Sequence, residues 1–238
     1  WSDLQKADLR DANLAGASLW WADLREAALD GANLESTSLG RADLRGALGA
    51  GVKFNLADMS GTNLSGGSFP GAGFRRAHML QAVILKTNLQ GADFTQANLH
   101  AVNMTGTDLS GATLIEASLT GTNMTGVNLA GANLQGAHLS DAKLIGVNLR
   151  GANLKEASLP VADLTDADLS GANLQGANMT WSNLTSANLQ DADLTGANLG
   201  TADLTGADLT NAKMSGVVLD GAKLCKTKLP TGTDNSGC

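Results

Sequence analysis

An all-β solenoid with four faces per coil is the fold class this sequence predicts, and three observations predict it. From Leu4 to Leu229 every fifth residue is Leu, Met, Phe or Ile, with Gly49 the one exception. Two positions before each stands a small residue, Ala in most repeats and otherwise Val, Thr, Ser or Gly, as at Ala7, Ala12, Ala17, Val52, Thr62 and Gly67. Most of the 29 glycines fall two positions after the central apolar residue.

The first observation excludes the ordinary elements. A helix repeats its apolar residues at three and four, and a half-buried strand alternates at two. A spacing of five is out of step with both. The chain must turn between repeats, so that each central residue meets a common axis from a new side. The second observation is the crowding at that axis, which admits only small neighbours. The third sets the number of faces. Sorted by twenty, one column reads Asp11, then Gly31, Gly51, Gly71 and onward without a break to Gly171, then Asp191 and Asn211. Another column reads Trp21, Arg41, Gly61, Gln81, Ala101, Gly121, Asp141, Val161, Trp181, Thr201 and Gly221. Glycine at a fixed turn position signals positive φ, as at the third residue of a type II turn. The glycine column is therefore expected to be left-handed and the bulky column not. They differ only if four repeats close one coil. Stacked coils pair at about 4.8 Å, so about 11 coils make a rod of roughly 55 Å.

The motif A-(D/N)-L-x-x, seen in Ala7-Asp8-Leu9, Ala12-Asn13-Leu14 and Ala172-Asn173-Leu174, resembles the pentapeptide-repeat family. The resemblance covers residues 2–229 and implies a right-handed quadrilateral β-helix in a single domain. Residues 230–238 are expected to form an irregular tail. The segment Leu224-Cys225-Lys226-Thr227-Lys228-Leu229-Pro230, followed by Asn235-Ser236-Gly237-Cys238, resembles the ends of cyanobacterial and chloroplast-lumen members. That likeness implies a thylakoid lumen or periplasm, with the cytoplasm as the alternative. The chain lacks an initiating Met and opens within a repeat, so an upstream portion is expected to have been removed.

Composition narrows the function classes. The net charge of −7 and pI of about 4.8 argue against direct nucleic-acid binding, which needs a basic footprint. No apolar run is long enough to span a membrane. Cys225 and Cys238 are either a bridge that pins the tail across the open end or two separate surface thiols. The reading adopted is the bridge, tied to an oxidising compartment. No CxxC spacing is present. His78, His100 and His138 fall on one face, but His78 and His138 are three coils apart, about 14 Å, too far to share a metal. Carboxylates abound on convex ridges, and no insertion builds a pocket around them. Neither an enzyme nor a cofactor is expected.

What remains is surface. Between Glu156 and Lys213 there is no Lys or Arg, while Asp163, Asp166, Asp168, Asp191, Asp193, Asp203 and Asp208 lie within that stretch. The bland reading is a solvated ladder, because Asp before Leu is the family consensus. The sharper reading is an acidic docking surface or DNA mimic, with Asp163, Asp168, Asp203 and Asp208 as its carriers. The linear density of about one charge per 1.5 Å approaches the roughly 1.7 Å of duplex DNA. Quinolone-resistance members of the family act as topoisomerase-binding DNA mimics, but they carry loops that break the repeat and a C-terminal dimerising segment. Here the register never slips, and nothing requires an oligomer. Trp20, Trp21 and Trp181 point outward, as do Leu80, Leu85, Ile115 and Ile145, and the tryptophans are candidate contact residues. A column of Thr105, Thr125, Ile145, Thr165, Thr185 and Thr205 raises ice binding, though Lys143, Asp163 and Asp203 interrupt the flat face.

Two packing expectations follow from the register. Phe54, Phe74 and Phe94 should stack. Gly49 should leave room for Phe69 one coil on, with Leu48 facing outward or marking a bulge. The favoured function is a non-enzymatic structural or protein-interaction rod with a protein partner the sequence does not name. The alternative is a DNA mimic that binds a type II topoisomerase, and an ice-binding β-helix ranks below both.

Overall fold

The computed structural model describes residues 2–238. Its frame is a ladder of parallel bridges between residues twenty apart, from Asp3↔Asp23 through Ala28↔Leu48 to Asp208↔Lys228, without a break. A turn follows every bridge, so the chain is a β-helix wound from five-residue steps.

The repeat Asp43–Ala47 shows why the pattern holds. The N–H of Asp43 donates to Ala22 O in the coil before, at 3.0 Å. Leu44 and Gly46 donate to Asn63 and Ser65 in the coil after, at 2.7 and 3.1 Å. Ala47 closes the corner by donating to Leu44 O at 3.0 Å. Only the Arg45 N–H lacks a backbone acceptor, and the Asp43 side chain supplies one at 3.1 Å. The Asp or Asn before each Leu thus completes the backbone's hydrogen bonding in its own repeat. At some repeats where the residue is neither, the coil before substitutes. Leu48 cannot hold the Ala50 N–H, and Asp30 Oδ1 accepts it at 2.7 Å. Gly73 cannot hold Arg75, and Asn55 Oδ1 does so at 3.0 Å.

The corners correct one expectation. Gly31 and Gly51 are left-handed at φ 67° and 64°, but so are Trp21 and Arg41 at 58° and Val161 and Trp181 at 61°. The twenty-residue period holds, but on the bridges, not on a contrast between corners. The turn closed by the Ala-column N–H demands positive φ at its third residue whatever the side chain. At many corners there is room for a side chain: a Cβ added at Gly51, Gly71, Gly91 or Gly111 would meet nothing within 4 Å, though one at Gly31 would run into Asp11. The cost of a non-glycine corner is then only the local one, about 1–2 kcal/mol. Glycine is favoured there but not required.

The inside is a column of buried side chains. Leu24, Leu44, Leu64 and their successors are fully buried, with the small column filling between them. The few threonines in the small column are also buried, and their hydroxyls find carbonyls: Thr62 Oγ1 donates to Leu39 O at 2.9 Å and Thr87 Oγ1 to Leu64 O at 3.1 Å. Phe54, Phe74 and Phe94 stack as expected, at 5.2 and 4.5 Å between centroids. A Cβ on Gly49 would come within 2.8 Å of the Phe69 ring, so the missing side chain and the oversized one do compensate. The sequence reading missed Gly67, where a Cβ would lie 2.5 Å from the same ring. Leu48 faces outward without a bulge, since its bridges to Ala28 and Ser68 continue the ladder.

The C-terminal end departs from expectation. Residues 230–238 are not irregular throughout. Strand β1 (Thr227–Leu229) pairs antiparallel with strand β2 (Gly232–Asp234) across a turn at Pro230 and Thr231. Pro230 has a fixed φ and no N–H to satisfy, which suits the start of a turn. The chain then returns over the last coil: Gly237 N–H donates to Leu224 O at 2.9 Å, and a Cβ on Gly237 would lie 2.6 Å from Leu224 N. Cys225 and Cys238 are disulfide-bonded with Cα atoms 4.7 Å apart, so the bridge is present.

Filling the Gly49 site should destabilise the fold. Gly49→Leu overpacks against Phe69 and Val52 and is expected to cost about 1–3 kcal/mol, read as a lower denaturation midpoint at unchanged m-value. An unchanged midpoint would contradict the packing described.

Candidate interaction surface

The candidate residues lie on the outside of the ladder, and the register fixes where. Trp21 and Trp181 occupy the same corner column eight coils apart, about 38 Å. The structure therefore does not join them into one patch. Trp20 lies over Gly40, one coil on; a Cβ at Gly40 would meet the indole at 2.9 Å, so the glycine makes room for the ring. Trp21 carries the Arg41 guanidinium 4.9 Å from its ring centroid. Trp20 and Trp21 are 48% and 45% exposed, whereas Trp181 is 68% exposed beside the equally unburied Val161 at 56%. Of the other expected outward apolars, Leu80 is exposed, while Leu85, Ile115 and Ile145 are half-buried.

The acidic residues are also dispersed. Asp163 and Asp203 share one face, Asp168 and Asp208 the next, and Asp193 the one after. Asp166 and Asp191 stand at corners. The linear charge density that invites comparison with DNA is thus wrapped around the rod rather than drawn along one side. Basic residues one coil on neutralise part of it. Lys213 meets Asp193 and Lys223 meets Asp203, both at 3.1 Å, and Lys228 meets Asp208 at 2.8 Å. Arg150 approaches Asp168 at 3.7 Å. The signal for these pairs was in the sequence, as a Lys twenty residues after an Asp, but a linear count of charge passes over it.

A subset of the carboxylates is tuned toward ionisation. Bonds from Lys228 and the Thr210 hydroxyl hold Asp208 well below the usual carboxylate range. The Thr195 hydroxyl, Gln175 and Lys213 do the same for Asp193. Burial opposes the shift at Asp203, but the Thr205 hydroxyl, its N–H and Lys223 outweigh it. Arg10 and Arg25 lower Asp8 and Asp23 to about 2. None of these groups is poised to exchange a proton near neutral pH. The threonine column is similarly committed: Thr105, Thr125, Thr165 and Thr185 donate to the Asn or Asp two residues before them at 2.6–2.8 Å. Those hydroxyl protons are taken by the protein itself. Among the described residues no cluster of His, Cys, Asp and Glu has the geometry of a metal site. His78, His100 and His138 lie outside any such group.

A β-helix with a ladder of polar side chains and a few exposed aromatic residues is a repeat protein. The chain belongs to the pentapeptide-repeat family, matching it in 8 copies over residues 1–29, 27–66, 57–96, 92–131, 122–159, 162–200 and 202–229. The family's fold is a right-handed β-helix, in keeping with the strand bridges here. Among solved structures, the chain is similar to HetL, a pentapeptide repeat protein involved in heterocyst differentiation regulation in the cyanobacterium Nostoc sp. strain PCC 7120. Identity is 33% over 98% of this chain and 91% of HetL, with a TM-score of 0.35. It is also similar to a pentapeptide repeat protein of the Arabidopsis thaliana thylakoid lumen, at 35% identity over 49% of this chain and 68% of that one, with a TM-score of 0.18. QnrB1, a plasmid-mediated fluoroquinolone resistance protein, is 22% identical over 81% of this chain and 89% of its own, with a TM-score of 0.47. No curated protein matches the chain. Among the described residues no helix is long and apolar enough to cross a membrane.

The lowered carboxylates make stability depend on acid. Asp8, Asp23, Asp193 and Asp208 ionise at lower pH in the folded chain than in the unfolded one, where Asp titrates at about 3.9. Their contribution is therefore fully present above about pH 5 and is lost as pH falls from about 4 to 2. The thermal midpoint should be flat from neutral pH to about 5 and then drop. A midpoint still constant at about pH 2 would contradict the assignment.

Proposed function

We propose that this chain is a non-enzymatic protein-interaction rod: a single domain over residues 2–229, quadrilateral in section, of about 11 stacked coils. The observation that carries this reading is the Val161–Trp181 corner. Two bulky residues, one of them β-branched, occupy successive left-handed positions where glycine is the relaxed choice, and both project into solvent. A bulky aliphatic and an indole exposed side by side on one corner point to a contact. The family membership supports a scaffold role, and the disulfide supports an oxidising compartment, the thylakoid lumen or periplasm.

The topoisomerase-binding reading has less support. Its acidic carriers Asp163, Asp168, Asp203 and Asp208 lie on two faces, and three of the four are paired with Arg150, Lys223 and Lys228. Gyrase supercoiling should accordingly be unaffected at micromolar protein. Inhibition that disappears when the four are changed to Asn would restore the mimic.

The rod reading is tested with a photo-crosslinking residue at position 161, beside the intact Trp181, and, as control, at position 131 on a different corner, each introduced into cells of a cyanobacterium. A discrete protein adduct from position 161 alone is expected. Identical adducts from both positions, or none, would overturn the reading.

A further inference from the structure

We propose that the Trp181 corner docks a basic segment of a partner protein, which lays an arginine guanidinium on the exposed indole. The inference deepens the rod reading and rests on it. The repeat supplies its own control. Trp21 and Trp181 stand in the same column with nearly the same backbone, φ 58° and 61°. At the first, the residue one coil on is Arg41, whose guanidinium lies 4.9 Å from the ring centroid. At the second, the residue one coil on is Thr201, which cannot reach across the ring. The indole that has its own cation is 45% exposed and the one without is 68% exposed.

Charge around the second site favours a cation from outside. No Lys or Arg lies between Glu156 and Lys213, so neither the coil of Trp181 nor the coil before it brings a positive charge to this corner. Asp163 flanks it one coil before, with Asp141 two coils before on the corner itself, while Asp203, one coil after, is paired with Lys223. The nearest lysines on the adjoining face are Lys143 and Lys223, each two coils away, and Lys223 is held by Asp203 at 3.1 Å. Val161, 56% exposed, adds an apolar ledge one coil before the indole. An aromatic face within a net negative rim attracts a guanidinium both by its quadrupole and by charge, and the planar cation stacks better than an ammonium. A lipid surface would not suit an acidic rim, and nucleic acid would be repelled by it.

The test uses the intact chain and a capped peptide, Gly-Arg-Gly-Arg-Gly, followed at the indole N–H resonances, with Trp181→Phe to assign the signal. A saturable shift is expected at Trp181 and not at Trp21, whose face Arg41 already covers. Thr201→Arg supplies in cis what Arg41 supplies at Trp21, and it should weaken peptide binding at least about tenfold. The same peptide with citrulline for arginine should not bind. Trp181→Ala, a change at an exposed ring, serves as the second variant and should abolish saturable binding. No shift at Trp181, or a shift equal for the citrulline peptide or for Thr201→Arg, overturns the proposal. So does a diffuse response at many acidic residues that Trp181→Ala leaves intact. A corner that ignores arginine but still yields a specific crosslink at position 161 overturns this inference alone. A corner that does neither overturns the rod reading as well.

Discussion

In a repeat with Asp or Asn before its central residue each backbone N–H has a fixed address, and the rest of the structure depends on that. Of the five in a repeat, three reach the neighbouring coils, one closes the corner, and the fifth falls to a side chain. Asp43 shows the arrangement, with its Oδ1 accepting the Arg45 N–H while Leu44 and Gly46 bond upward. A buried or half-buried amide without a partner is costly, so the ladder tolerates no slip of register. The short repeat follows: a small residue fits the crowded axis, a polar acceptor completes the backbone, a large apolar residue fills the core, and two residues make the turn.

Because the ladder is rigid, irregularities are settled between neighbouring coils. Phe69 takes the space vacated at Gly49 and Gly67. Val83 leaves the Leu85 N–H without a local acceptor, and Ser65 Oγ accepts it from one coil away at 3.3 Å. Asn55 both holds Arg75 and fills the room that a side chain at Gly73 would need, its Oδ1 lying 2.9 Å from where a Cβ would be built. Such exchanges at a separation of twenty make each coil the packing environment of the next, as expected of a solenoid whose stability is a sum of nearest-neighbour contacts.

Much of this was legible in the sequence because the architecture repeats. Any residue's neighbours are found by adding or subtracting twenty, which is how the phenylalanine stack and the Gly49–Phe69 contact could be anticipated. The corners were misread because glycine frequency reports the cheapest occupant of a left-handed turn, whereas the turn's hydrogen bond dictates the conformation of every occupant, including Val161. Strand β2 lay beyond the repeat, where the twenty-residue rule gives no neighbour, and so its pairing with β1 was not foreseen. The candidate surface was the least legible. Exposure of Trp181 follows from its column, but the acidic stretch looked continuous only until its members were placed around the rod and paired with Lys213, Lys223 and Lys228. A polar ladder looks much the same whether or not a partner binds it, so the informative positions are those where a repeat departs from what its corner prefers.

Amide hydrogen exchange resolved by residue tests the central claim most directly. Backbone-bonded amides such as Asp43, Leu44, Gly46 and Ala47 should exchange slowly, and the side-chain-held amide of Arg45 should exchange faster. The pattern should repeat every five residues through the middle coils. Protection that lacks this period, or that is as strong at Arg45, Thr105 and Thr165 as at Leu44, Met104 and Leu164 beside them, would contradict the account.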